Sequence, residues 1–222
     1  ILLGLWLALL TLAPLPLSAS AAAARIDVLR RDGSTTSRIT DGDTLRLRLT
    51  LPDAVGLPLV VDFARPGGPS LASCTIETAQ AACETLPFSS LGWYWDAAAD
   101  PGRARIEARR QDSGDVLAGT VLDVSPRPVV MVHGFASSWE AWTTYLGPGG
   151  YLAAHGIPGF AVGDGRAPGK LNTGDLAQPT ETTNTLLENA AVVGEYIAGV
   201  KRLTGAEMVE FWVDYCNKYP II

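Results

Sequence analysis

The sequence is poor in the residues that build metal and acid–base sites. Its 222 residues hold two histidines and three cysteines. It has no C-x-x-C pair and no H-E-x-x-H segment, which excludes most zinc frameworks. Charged residues make up only 18%, no basic run occurs, and 17 lysines and arginines stand against 23 aspartates and glutamates, for a net charge of −6. Such a chain offers no electrostatic surface to nucleic acid. There is no internal repeat. What it has in quantity is apolar side chains, 47% of the total. That is enough to bury the core of one large domain or two modest ones, and it is far from the composition of a disordered chain.

Residues 1–17, ILLGLWLALLTLAPLPL, carry no charge, and small residues (SASAAAA, 18–24) precede the first charge at Arg25. Residues 1–24 read as the apolar region and cleavage zone of a secretory signal that lacks its basic leader. That places the chain outside the cytoplasm, secreted or periplasmic. A membrane anchor is the alternative, but Pro14 and Pro16 interrupt the run short of the roughly 20 apolar residues a span needs. The mature chain is therefore expected to have no stable membrane span. Export permits disulfides. Cys74 and Cys83, in SCTIETAQAAC, are candidates to clip a hairpin or loop, with two buried free thiols as the alternative. Cys216 is left over.

Residues 26–125 read as a β domain. Thr44-Leu45-Arg46-Leu47-Arg48-Leu49 alternates polar and apolar side chains, the pattern of a half-buried strand. Asp41-Gly42-Asp43 before it is turn chemistry. Further strands are expected at 59–63, at 103–108 after Asp100-Pro101-Gly102, and at 116–124. Short strands separated by turn signals predict an antiparallel, Ig-like β-sandwich. Trp93-Tyr94-Trp95 is expected in its core, a carbohydrate-stacking platform being the alternative. Residues 126–128, in Ser125-Pro126-Arg127-Pro128, read as a stiff linker. The acidic excess divides evenly on either side of it.

Residues 129–222 change to alternating strand and helix. Val129-Val130-Met131-Val132 is a continuous apolar run, as for a parallel strand covered on both faces. A helix is expected over roughly 138–155, a short strand around Phe160-Ala161-Val162, and a long helix over 183–203. Leu186, Ala190, Val193, Ile197 and Val200 would form the buried stripe of that helix. A Thr185–Glu188 capping box would open it and Gly205 would close it. A third strand is expected over 208–213. The sum is a three-stranded parallel α/β layer.

The segment VVMVHGFASSWEAW, 129–142, resembles the start of the α/β-hydrolase fold in bacterial secreted lipases and esterases. The resemblance continues through Asp164-Gly165-Arg166-Ala167-Pro168-Gly169 and Leu171-Asn172-Thr173-Gly174-Asp175 to Thr204-Gly205-Ala206-Glu207. It implies hydrolysis of an ester or lipid substrate through an acyl-serine, without metal or organic cofactor. Acyl transfer passes through an oxyanion that preorganised N–H groups stabilise. The resemblance assigns one such donor to the backbone amide of Phe135. Gly134 would permit the turn, and His133 would shape it without acting as the base.

The family then runs into a nucleophile elbow, G-x-S-x-G. Here Asp214-Tyr215-Cys216-Asn217-Lys218-Tyr219-Pro220 stands in its place, with no glycine after Gly205. Tyr215 occupies the approximate serine slot, and Cys216 lacks small neighbours. The remaining histidine, His155, precedes the nucleophile position and reads as a capping or surface residue. The expectation is an incomplete α/β-hydrolase domain, a fragment with an oxyanion donor but without nucleophile, acid or base, and therefore inactive. Two other readings stand beside it. One is a non-catalytic exported binding or adhesion protein that uses the sandwich. The other is an enzyme using the carboxylates of Asp164 and Asp175.

Overall fold

The computed structural model describes residues 23–95, 102–175, 177–178 and 180–213. Nearly all of the expected signal, the Asp100-Pro101 step and everything from Asp214 onward, including Tyr215 and Cys216, lie outside them.

The alternating segment forms β3 (Thr44–Thr50), with Leu45, Leu47 and Leu49 buried. Arg46 and Arg48 occupy the other face, and both pair with Glu84. β3 organises a first sheet, pairing antiparallel with β1 (Arg25–Arg30), β6 (Ala82–Glu84) and β7 (Phe88–Ser89). A second sheet has the order β2 (Arg38–Thr40), β9 (Val116–Ser125), β8 (Arg103–Arg110), β4 (Leu59–Ala64), β5 (Ser70–Ile76). Its pairs are antiparallel except β2 with β9, so the sheet is mixed. The two sheets share one core, in which Leu45, Leu47 and Leu49 join Val61, Phe63, Ile106 and Leu122. A disulfide joins Cys74 of β5 to Cys83 of β6. It staples one sheet to the other rather than clipping a single hairpin.

The tryptophan pair divides. Trp93 is buried in the core, whereas Trp95 is 56% exposed. Residues 91–95 form a turn, so side chains two apart are not held on one face as they would be in a strand.

The third sheet is parallel, with β10 (Val129–Val132) between β11 (Gly159–Ala161) and β12 (Glu210–Val213). Val130 packs with Phe160 and Val200 on one face, and Val129 and Met131 pack with Leu152 and Ile157 on the other. The helix expected over 138–155 is broken. A 3-10 turn (Trp139–Trp142) leads into α1 (Thr143–Leu146), and α2 follows (Tyr151–Ala154). Gly147-Pro148-Gly149-Gly150 interrupts it: Gly149 has φ +81°, and a Cβ on Gly150 would sit 2.6 Å from the Tyr145 carbonyl oxygen.

The long helix is α3 (Leu186–Thr204). The Glu188 amide donates to Thr185 Oγ1 and the Thr185 amide donates to the Glu188 carboxylate, completing the capping box. Gly205 closes the helix at φ 71°. Its packed face, however, centres on Tyr196, Gly199 and Val200, while Leu186 is 89% exposed and Ala190 is exposed as well. The stripe shifts because Tyr196 is fully buried with its hydroxyl satisfied inside the fold.

The proline-flanked segment 126–128 is pinned rather than free. The Arg127 guanidinium pairs with Glu210 at 3.1 Å and faces Asp41 at 3.6 Å, and the Glu210 amide donates to the Pro128 carbonyl at 2.8 Å. The chain is thus mostly β-sheet, two sheets around one core, joined to a small parallel sheet with one long helix.

Candidate functional site

In a parallel sheet, ligands bind in the crevice beyond the carboxyl ends of the strands. Here that edge is formed by the ends of β10 and β12. β10 is apolar and buried because α3 covers one face and the 139–157 segment covers the other, so its last residue delivers His133-Gly134-Phe135 to the edge of the sheet. A cavity of about 430 Å³ opens at this point, within the 300–1,000 Å³ usual for small-molecule sites. Its walls are Phe135, Leu171, Val193, Phe211 and Val213 among others, with Thr173, Asn184 and Asn189 as polar groups.

The three residues expected at the oxyanion turn lie together on this cavity. His133 is buried, and its Nδ1 sits 3.2 Å from the Gly134 carbonyl oxygen. A ring nitrogen facing a carbonyl must carry the proton, so Nδ1 is the donor. Phe135 is 67% exposed, and among the described residues no acceptor meets its amide. The turn is closed one residue later, where the Ala136 amide donates to the Thr173 carbonyl at 3.3 Å. Ala136 is the left-handed residue, at φ 49°.

Sequence reasoning included the 171–175 loop in the resemblance but did not place it against this turn. Gly174 has φ +93°, and a Cβ there would lie 3.1 Å from the Thr183 methyl and 3.6 Å from the Phe135 ring. Asn172, Asn184 and Asn189 lock the loop to the start of α3. The Asn172 amide and the Asn184 side-chain amide both donate to Asn189 Oδ1 at 3.2 Å, and Asn189 donates back to the Asn172 carbonyl at 3.3 Å. The Thr173 hydroxyl is buried without a partner among the described residues. The available signal was Asn172-Thr173 in a glycine-rich loop, which gives composition but not facing.

The other candidates lie elsewhere. His155 caps α2 on the surface, its Nδ1 2.7 Å from the Tyr151 carbonyl. Asp164 accepts from the Tyr196 hydroxyl at 2.5 Å and from the Ala161 and Arg166 amides at 3.1 and 2.9 Å. Burial, with the Asp164 hydrogen bond next, pushes the Tyr196 phenol well above its ordinary value. Asp175 is exposed and accepts from the Ala177 amide at 2.8 Å. The two carboxylates therefore serve separate turns and are not brought together. Among the described residues no group of three or more His, Cys, Asp or Glu is placed to hold a metal, and no helix is long and apolar enough to cross a membrane.

No protein-family model matches this chain, and no curated protein matches it. Among solved structures, an FMN-binding beta-glucuronidase from Facaelibacterium prausnitzii L2-6 is similar over 52% of this chain, at 12% identity and a TM-score of 0.25. The match takes in 21% of that protein's length. A likeness this slight assigns neither fold nor activity.

Proposed function

We propose that this chain is the oxyanion-turn portion of an exported serine ester hydrolase of the α/β-hydrolase type, with an N-terminal Ig-like sandwich. One observation carries the reading. An amide with no acceptor among the described residues, that of Phe135, sits at the end of the central parallel strand beside an apolar cavity. A preorganised amide of this kind would need no reorganisation when charge develops on a carbonyl oxygen. Losing one donor of this kind costs on the order of 10²–10³ in kcat. The apolar walls suit the hydrocarbon part of an ester, and the parent substrate is a carboxylic ester or lipid. Residues 1–222 supply no glycine-flanked serine late in the layer and no late histidine, so this chain is expected to bind without turnover.

The test is an NMR titration with methyl butyrate beside a p-nitrophenyl butyrate assay. The expected result is a saturable shift of the Phe135 and Val213 amides, loss of binding in Phe135→Pro, and no hydrolysis above that control. No shift at either amide overturns the site. Hydrolysis above the control overturns the missing triad. Reading the gene beyond the codon for Ile222 supplies the complementary check, a glycine-flanked serine and a later histidine.

A second reading, a non-catalytic binding protein, has one observation in its favour. Trp95 is 56% exposed, the accessibility that a sugar-stacking residue requires, with Tyr94 edge-on against it at 4.8 Å. Quenching of tryptophan fluorescence by cello-oligosaccharides, lost in Trp95→Ala, would favour it.

A further inference from the structure

Among the described residues β12 is an edge strand, laddered to β10 on one side, yet its Phe211 and Val213 form a wall of the cavity. Besides that ladder, contacts to the connection that leads into it come from the other unit of the molecule. The Asp41-Gly42-Asp43 turn between β2 and β3 meets the connection from α3 to β12. The Thr44 amide donates to Glu207 Oε2 at 3.1 Å, and the Glu207 amide donates to Asp43 Oδ1 at 3.2 Å. This is the reciprocal logic of a capping box, worked between segments 163 and 164 residues apart.

The acids of the turn have further partners, although Asp41 Oδ2 has only the Arg127 guanidinium at 3.6 Å and no hydrogen bond among the described residues. Asp43 accepts from the Thr40 amide at 2.8 Å and lies 3.9 Å from Arg30, and Asp41 accepts from the Trp93 amide at 3.0 Å. Both are buried. Arg127 lies between the units, paired with Glu210 of β12 itself and facing Asp41. Gly42 allows the close approach. It has φ +91°, and a Cβ there would meet Met208 Sδ at 3.1 Å and Arg127 Cδ at 3.3 Å.

We infer that the Asp41-Gly42-Asp43 turn is a docking site for the segment from Gly205 to Glu210, and that Gly42, Asp43, Arg127 and Glu207 are positioning residues that set β12 and the Phe211–Val213 wall. The N-terminal β unit is then a brace for the site rather than a detachable module. Hydrogen-bonded amides report the state of this contact directly, because local opening governs their exchange.

The experiment is amide hydrogen exchange on the full chain, comparing Gly42→Ala, Glu207→Ala and Glu207→Gln with the parent. Glutamine keeps an oxygen that accepts from Thr44, so it is the rescue. In Gly42→Ala and Glu207→Ala, exchange at Thr44, Glu207 and Glu210 is expected to accelerate about tenfold or more while the β8–β9 ladder keeps its parental rate. Glu207→Gln is expected to stay within about twofold of the parent at all of them. Unchanged exchange at Glu210 in Glu207→Ala overturns the inference, since β12 is then held without the brace. Equal acceleration in β12 and in the β8–β9 ladder also overturns it, since the contact then serves global stability alone. Should Gly42→Ala fail to fold, the Glu207 pair decides the question by itself.

Discussion

Removing one hydroxyl, in Tyr196→Phe, tests how the parallel layer is held together. Tyr196 has no exposed surface, and its Oη donates to Asp164 Oδ1 at 2.5 Å. The substitution keeps the ring and the packing against Val130 and Val200 and deletes only this bond. A hydrogen bond to a charged acceptor contributes about 1.5–3 kcal/mol. Asp164 would retain the Ala161 and Arg166 amides, so it is not left orphaned, and a loss of about 2 kcal/mol is expected. For a chain of this size that lowers Tm by about 4–8 °C. Urea unfolding of the parent, Tyr196→Phe, Asp164→Ala and the double variant measures both the loss and the coupling. The same bond carries a pH signature. Burial first, then the Asp164 carboxylate, raises the phenol above 10.0, so above that pH the unfolded state releases a proton that the folded state keeps. Stability is fully present below pH 10 and falls as the pH rises, and Tyr196→Phe lacks that component of the fall. A loss under about 0.5 kcal/mol, or a coupling energy of that size or less, would refute the reasoning.

Reducing the Cys74–Cys83 disulfide, or replacing both residues with alanine, releases a loop with a separation of 9 residues and should cost about 2–3 kcal/mol, read from urea midpoints with and without dithiothreitol. Two helical glycines should respond with opposite sign. Gly194→Ala meets nothing within 4 Å and should stabilise by about 0.5–1 kcal/mol. Gly199→Ala puts a methyl 2.9 Å from Ala167 Cβ and should destabilise by about 1–3 kcal/mol despite the better helix former. The Arg110 hydrogen bond holds the exposed Asp112 carboxyl at about 2. An NMR titration should find that midpoint and find it returned toward 3.8 in Arg110→Gln. The pair's contribution is present above 3.8 and is lost as the pH falls toward 2.

Elements whose pattern is local were readable in the sequence. The 44–49 alternation needs only a two-residue period and one wet face. The Thr185–Glu188 box and Gly205 are set by backbone groups within four residues. β2, β5, β6 and β7 were not read, because they are short or carry no alternation and exist through their partners, and β1 was not read although Arg25-Ile26-Asp27-Val28 alternates. β5, for example, has only Ile76 fully buried, and its place is set by β4 and by a disulfide to the other sheet. The 138–155 helix failed for the opposite reason. Its apolar spacing is helical, but three glycines and a proline in four residues outweigh that spacing.

The site divides along the same line. His133-Gly134-Phe135 could be singled out because it follows a strand that must be buried, and such strands end at the edge where ligands bind. The cavity beside it could not, since its walls come from a glycine-rich loop, the exposed start of α3 and an edge strand, none of which announces a partner. What joins the two halves is a concentration of unfavourable local choices. Within two residues the chain exposes a phenylalanine, leaves an amide with no acceptor among the described residues and puts an alanine at φ 49°. Opposite them it buries a threonine hydroxyl without a partner. Each departure costs stability, on the order of 1 kcal/mol or more for the buried hydroxyl and the left-handed alanine. The β unit makes such concessions singly, with Ala79 at φ 64° and Asp41 Oδ2 buried without a hydrogen-bond partner among the described residues, while Leu47, Leu49, Val61 and Phe63 in its core are fully covered. Several such departures gathered within a few residues of one strand end are what a functional site produces, and they are consistent with the site proposed there. Two of those departures, the Phe135 amide and the Thr173 hydroxyl, are hydrogen-bonding groups beside an apolar hollow, and on them the proposed ester site rests.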